Sequence, residues 1–260
     1  MGIVNVTTDS FADGGQFLAA PRAIAHGLKL RDEGADFVDV GGESTRPGAE
    51  PVPLDEELRR VIPVVEALAR EGVAVSVDTL KPEVMCAAID AGCAVVNDVN
   101  AFRAAGAIEA VAKSRVGVVV MHMQGTPATM QKAPHYEDVV AEVGAFLRLR
   151  ARALEDAGVA RERIALDPGF GFGKNLEHNL ALLHDIAAFC DLRVPVLVGP
   201  SRKRFIGELS GVQDPAERIE GTAGAVAWCA AQGIDVLRVH DVMQMTRVVR
   251  VVDAIVRGAR

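Results

Sequence analysis

Residues 73–84 read "VAVSVDTLKPEV". A β-branched run, Val73–Val77, stops at a carboxylate, Asp78, and Pro82 then sits early in a helical segment ending near Gly92. Proline suits a helix start, because the N–H it lacks would have no intrahelical partner there. The stretch is therefore one strand, one polar end and one helix. Working outward, the same unit recurs. Comparable runs are Ile3–Val6, Phe37–Val40, Ala94–Val96, Val116–Met121, Ile164–Leu166, Val194–Val198 and Val236–Val239. They are short and continuously apolar, as strands covered on both faces should be. The segments between them carry helical period. In the last, Met245, Val248, Val249, Val252, Ile255 and Val256 form one stripe, with Gln244, Arg247, Arg250 and Asp253 opposite. Gly34, Gly72 and Gly158 follow helical stretches where left-handed caps belong. Pro63, inside Asp55–Arg70, predicts a kink or a later helix start.

Strict alternation of strand and helix leaves a doubly wound open sheet or a closed barrel. Eight units in 260 residues match the barrel, which typically takes about 250. The predicted class is α/β, one (β/α)8 TIM barrel of eight strands and eight helices. No linker or composition shift divides residues 1–260, so one domain is expected.

Composition narrows the function. Half the residues are hydrophobic, enough for a sizeable core, and the net charge is −7 with no long Lys/Arg run. Nucleic acid and anionic membrane are therefore excluded as main partners. The longest apolar runs are too short for a bilayer, and the N-terminus lacks a basic, then apolar, leader pattern. Cys86, Cys93, Cys190 and Cys229 have no CxxC spacing, which predicts reduced, mostly buried thiols and a cytoplasmic location.

In such a barrel the chemistry sits at the C-terminal strand ends. Those ends read Asn5, Asp39, Asp78, Asn97 with Asp98, His122, Asp167, Ser201-Arg202-Lys203, and Arg238 with His240. Every one offers an amide, carboxylate, imidazole or cation. Asp78, Asn97 and Asp167 suit a flat heterocycle with adjacent N–H donors, since carboxylates accept and an amide both donates and accepts. Each could instead cap a helix, Asp78 above all. Arg46, Arg202, Lys203, Arg238 and His240 form a cationic group that suits phosphate or pyrophosphate. The alternative is a solvated rim with ion pairs to Asp235 or Asp241. His122 is either a buried structural imidazole or a ligand contact. "DPGFGFGK" (167–174) lacks the spacing of a dinucleotide motif, and its glycines suit close approach of backbone to ligand.

The ordered blocks "GIVNVTTDSFADGG", "DVGGESTRPGA", "SVDTLKPEV", "NDVNA", "MHMQGTP", "LDPGFGFGK", "LVGPSRKRFIG" and "RVHDV" resemble the signature blocks of the dihydropteroate synthase family, from Gly2 to the final helix. The resemblance implies a folate-pathway transferase. It would join 6-hydroxymethyl-7,8-dihydropterin pyrophosphate to 4-aminobenzoate, with Mg²⁺, giving 7,8-dihydropteroate and pyrophosphate. It also implies a homodimer, sulfonamide inhibition, and mobile loops 1 and 2 after the first two strands. Position by position, Asp78, Asn97, Asp167 and Lys203 are similar to the pterin-binding set, with Met121, Gly171 and Phe172 beside the ring. Arg238 and His240, with Asn5 and Arg46, resemble the pyrophosphate pocket, Asn5 on the magnesium side. Phe11, Thr45, Arg46, Pro47 and Lys203 resemble the aminobenzoate side. Lys203, Asp167, Arg238 and His240 are the implied catalytic residues. Thr8 departs from the proline usual there, and family members usually carry a segment before the first strand, where this sequence opens. Competing readings are a pterin-binding methyltransferase barrel, a catalytically silent pterin-binding paralogue, and a generic phosphosugar barrel enzyme.

Overall fold

The structure is a computed structural model, and it describes residues 1–6 and 15–258. The described strands are β1 (Gly2–Asn5), β2 (Val38–Gly41), β3 (Val75–Asp78), β4 (Val95–Asp98), β5 (Gly117–Met121), β6 (Ile164–Asp167), β7 (Leu197–Val198) and β8 (Val236–Leu237). The helices are α1 (Gly15–Asp32), α2 (Leu54–Arg70), α3 (Pro82–Asp90), α4 (Ala107–Ala112), α5 (Val139–Asp156), α6 (Leu176–His184), α7 (Ala187–Cys190), α8 (Arg204–Ser210), α9 (Ile219–Ala231) and α10 (Val242–Arg257).

β1 to β6 pair in order, all parallel, and β7 pairs with β8. Parallel bridges Leu166↔Val196 and Gly2↔Val239 join the two sheets, so the ring closes. The seam is hydrogen-bonded, Ile3 N to Val239 O at 3.1 Å and Val239 N to Met1 O at 2.9 Å. This is the predicted TIM barrel. No described helix is long and apolar enough to cross a membrane.

Register decides what the mouth contains. Asn5, Gly41, Asp78 and Asn97 pair in one row across β1–β4, while Asp167 pairs with Met121. Alternation then separates two environments. Val4, Val38, Val40, Val75, Val77, Val96, Val118, Val120, Ile164 and Leu166 pack into the core shared with the helices. The residues between them include Asp39, Ser76, Asp78, Asn97 and Asp167. The runs look apolar because one face is aliphatic throughout, yet the other face carries most of the polar side chains of the strands.

The structure corrects several expectations. Ten helices are described, not eight, because the sixth and seventh units each carry two. Gly211, in the left-handed region at φ 75°, ends α8, and Pro215 begins a short 3₁₀ turn before α9. β7 is shorter than expected because Pro195 has no N–H for the ladder, though its carbonyl still accepts from Leu166 N. α2 does not start late, and runs through Pro63. Of the four free cysteines only Cys93 and Cys229 are buried, while Cys86 is exposed. Gly34, Gly72 and Gly158 hold the predicted left-handed caps, at φ 103°, 74° and 94°.

Pro63 is exposed and sits mid-helix, where it removes one backbone hydrogen bond. Its entropic restraint of the unfolded chain offsets part of that loss, so Pro63→Ala is expected to stabilise the fold by about 1–2 kcal/mol. Chemical denaturation of the two proteins checks this, and an unchanged or lowered midpoint contradicts it.

Candidate active site

The strand ends surround a cleft lined by Asp78, Asn97, Asp167, Lys203 and Arg238. Its polar floor is a charge network. Arg238, just beyond β8, donates through Nε to Asp39 Oδ2 at 2.6 Å and through a terminal nitrogen to Asp78 Oδ2 at 2.9 Å. Asn97 Nδ2 donates to the same Asp39 oxygen at 3.3 Å. The second oxygens, Asp39 Oδ1 and Asp78 Oδ1, and the side-chain amide oxygen Asn97 Oδ1 are buried and have no hydrogen-bond partner among the described residues. Buried acceptors in that condition are energetically costly, and they mark where a donor-rich ligand fits. Asp167 faces them from β6, its Oδ1 already held by Gly169 N at 2.7 Å.

The walls are apolar. Met121, Val99 and Phe172 line the cleft, Phe172 packed against the cluster that holds Met121 and Val99, and Lys203 Nζ lies 4.2 Å from the Phe172 ring centroid. A cation over an aromatic face is electrostatically favourable. Gly169 (φ 70°) and Gly173 (φ 64°) shape the Phe172 segment. A Cβ on Gly169 would lie 2.0 Å from His122 O, and one on Gly173 would lie 2.7 Å from Gln124 O. Only glycine permits that approach.

Burial sets the titration of the site. It pushes the Asp78 carboxyl up to about 7, Arg238 opposing and Asp39 and Asp98 adding to the rise. It raises Asp167 to about 6, against the Gly169 N–H and the Lys203 and Arg238 charges. It lowers Lys203 to about 8, Arg238 contributing and Asp167 opposing. Asp78 and Asp167 thus titrate close to neutrality, which is a mark of functional carboxylates.

Asp78, Asn97, Asp167, Lys203, Met121, Phe172, Thr45 and Arg238 all line the cleft. Gly171 stands behind Lys203, where a Cβ would meet Lys203 Cδ at 3.4 Å. Arg46 and Pro47 are exposed on the segment after β2, and Asn5 is half-buried at the end of β1. Phe11 and Thr8 lie outside the described residues. The capping alternative for Asp78 fails: Lys81 is the N-cap of α3, with no side-chain cap bond, and Asp78 is taken by Arg238.

The cationic group needs correction. Arg202 is bound by Asp241 in a two-point pair, the rim arrangement weighed from sequence. His240 is held neutral, burial and the Arg202 and Arg238 charges pushing it down to about 3, and its Nδ1 meets Ser201 Oγ at 3.0 Å. Arg238 is matched by two carboxylates. Lys203 is then the one cleft-lining cation among the described residues without a carboxylate bond. His122 proves structural: it is buried, packs edge-on against Phe146 and contacts Lys174.

Thr45 reaches the cleft because the base of its segment is pinned. Lys81 bonds both Glu43 and the fully buried Glu57, Thr79 Oγ1 donates to Glu57 at 2.6 Å, and Val52 N donates to Glu43. Burial works against the Lys81 charge, yet the two carboxylates hold its titration above the usual lysine value.

The sequence does not single out Gly199, Val99 or Phe170, which line the cleft, and it gives no separate role to Asp39 or Lys174. Asp39 had a signal, a carboxylate inside the β-branched run "FVDV".

With this geometry in hand, residues 1–240 match the family described as pterin binding enzyme, and the chain is 49% identical to the dihydropteroate synthase of Escherichia coli K12, over 98% of the chain and 90% of that protein. The chain belongs to the dihydropteroate synthase family. Two solved structures of the Xanthomonas albilineans family member superpose on it. The one with 4-aminobenzoic acid has a TM-score of 0.94 at 52% identity, covering 100% of this chain and 93% of that one. The one with 7,8-dihydropteroate has a TM-score of 0.90 at 49% identity, covering 100% and 94%. A family of pterin-binding enzymes accounts for a slot with unpartnered acceptors on one edge and apolar walls on its faces.

Asp167 is expected to leave a pH signature. Its folded value, about 6, is above the roughly 3.9 of an unfolded Asp. The native state therefore holds an extra proton between those values, and the stability this lends is lost as pH rises through about 4 to 6. Asp167→Asn removes that loss. The unfolding free energy of the variant minus wild type should rise across that window and level off above it, measured by denaturant titration in the absence of ligand. A flat difference contradicts the assignment.

Proposed function

We propose that the chain condenses 6-hydroxymethyl-7,8-dihydropterin pyrophosphate with 4-aminobenzoate, giving 7,8-dihydropteroate and pyrophosphate, and that the whole chain serves as one pterin-binding barrel. The observation that carries this is the set of buried, unpartnered oxygens on Asp78 and Asn97 facing Asp167 in one cleft. A pterin presents an edge of adjacent N–H groups that such acceptors bind. The family relatives with 4-aminobenzoic acid and with 7,8-dihydropteroate support both the second substrate and the product.

The residues then divide the work. Asp78, Asn97 and Asp167 accept the pterin N–H donors, which draws the two carboxyls into their ionised form. Lys203 donates to a ring acceptor. Met121 and Phe172 hold the ring faces. Breaking the methylene C–O bond sends its electron pair to the departing pyrophosphate and leaves a cation that the electron-rich ring delocalises. The aniline nitrogen forms the new C–N bond and releases its proton. Arg46, Ser201 and the neutral His240, with Lys203, supply charge and hydrogen bonds to the leaving group, and electrostatic stabilisation of that group is the largest contribution. Thr45, Arg46 and Pro47 border the side where 4-aminobenzoate approaches.

Among the described residues no group of His, Cys, Asp or Glu could hold a metal ion by itself. Asn5, half-buried at the end of β1, would give Mg²⁺ one amide oxygen, with substrate phosphate oxygens and water completing the shell. When bound there, Mg²⁺ would neutralise charge developing on the pyrophosphate. The proposal includes a cytoplasmic homodimer. Reduced thiols support the location, and the exposed Trp228, Val251, Ile255 and Val256 of α9 and α10 support an apolar contact face.

The test is pyrophosphate release by the purified protein. Release is expected to require 4-aminobenzoate, to be abolished by EDTA and restored by Mg²⁺, and to fall by at least about a hundredfold in Asp167→Ala. Pterin binding without any release would show the silent paralogue instead. Sulfonamides are expected to inhibit competitively with 4-aminobenzoate, and less well after insertion of one residue following Pro47. An inhibition constant unchanged by the insertion would remove Thr45–Pro47 from that side of the site.

A further inference from the structure

Lys174 is almost fully buried, has no carboxylate within ion-pair distance among the described residues, and has no part in the chemistry above. Its Nζ lies 2.9 Å from Gly169 O, 3.0 Å from Phe172 O and 2.9 Å from His122 Nδ1. An ammonium has three donors, and these are three acceptors. His122 can accept because it is neutral, burial and the Lys174 charge pushing it down to about 2. Burial without an ion pair also lowers the Lys174 amine, to about 7. The neutral amine would keep both carbonyl bonds and accept from His122 in its other tautomer, so the arrangement survives either protonation state.

What these bonds hold is the segment 169–173. Two more of its carbonyls are gripped, Gly171 O by Gln131 Nε2 at 2.5 Å and Gly173 O by the Tyr136 hydroxyl at 2.9 Å. Asn179 Oδ1 accepts from Gly171 N at 2.8 Å. Alternate glycines in the left-handed region would leave this stretch free to rearrange, since each loses much backbone freedom on ordering. Lys174 ties its first residue to its fourth, and the fourth is Phe172, whose ring flanks the cleft over Lys203.

We propose that Lys174, through its bonds to Gly169 O, Phe172 O and His122, is a positioning residue that sets the Phe172 wall of the pterin slot. The proposal rests on the pterin reading above. The side chain never meets substrate; it acts through the backbone it ties.

The experiment is calorimetric titration with 6-hydroxymethyl-7,8-dihydropterin, beside steady-state kinetics, for wild type and Lys174→Met. Methionine nearly preserves length and leaves the acceptors unpartnered. The dissociation constant for the pterin is expected to rise about tenfold or more, with the KM for 4-aminobenzoate changed less than about threefold. Equal pterin affinity in a folded variant overturns the proposal, and so do KM values for both substrates rising together, because that is general loosening. If Lys174→Met fails to fold, Tyr136→Phe, which frees only Gly173 O, decides. A smaller rise in the same constant supports the proposal, and none overturns it. A wild type that does not bind the pterin at all overturns the pterin reading itself, which separates the two failures.

Discussion

The guanidinium of Arg238 is the interaction on which the rest of the site depends. It lies beside the seam where β8 meets β1, and it bonds carboxylates on β2 and β3. A buried cation without partners would be prohibitive, and a buried carboxylate pair without a cation nearly so. Together they are tolerable, and the arrangement uses one oxygen of each carboxylate. Of the oxygens left over, that of Asp78 belongs to a residue lining the cleft, where a ligand can meet it. Closure of the barrel and readiness to bind a heterocycle therefore share one charge network. It also explains why Asp78 titrates near neutrality: burial raises it strongly, and Arg238 recovers only part of the difference.

Two further lysines frame the cleft by different means. Lys81 is paired with Glu43 and Glu57 and secures the base of the segment bearing Thr45. Lys174 is buried among neutral acceptors and secures the segment bearing Phe172. Lys203, between them, has no carboxylate bond and faces the cleft. The chain thus commits most of its buried positive charge to architecture. Among the described residues it leaves one cleft-lining amine for the ligand, its titration lowered by burial to about 8.

Much of this was legible in advance. The valine runs and the glycine caps gave all eight strands within a few residues, because continuous β-branched runs bounded by turns have few other uses in a chain this long. Asp78, Asn97, Asp167 and Lys203 could be picked out because the strand-end rule concentrates function there. Asp39 was seen and left unassigned, since its role needs a partner 199 positions away. Lys174 looked like the last letter of a glycine motif. The cationic cluster was overcounted for the same reason: sequence shows which residues are charged, and not which charges cancel. Arg202 meets Asp241, and His240 is neutral beside two arginines. The extra helix of the seventh unit depends on where Gly211 and Pro215 break the chain, which local signals mark only weakly.

By itself, then, the sequence determined the repeating βα unit, the closed barrel and the residue types at its mouth, because these follow from period, punctuation and length. The tertiary structure alone decided which oxygens of Asp78 and Asn97 stay unpartnered, which cations are neutralised, and how the glycine segment is held. Those are pairwise distances across the ring. They depend on the register and closure of strands far apart in the chain, and local periodicity carries no information about them.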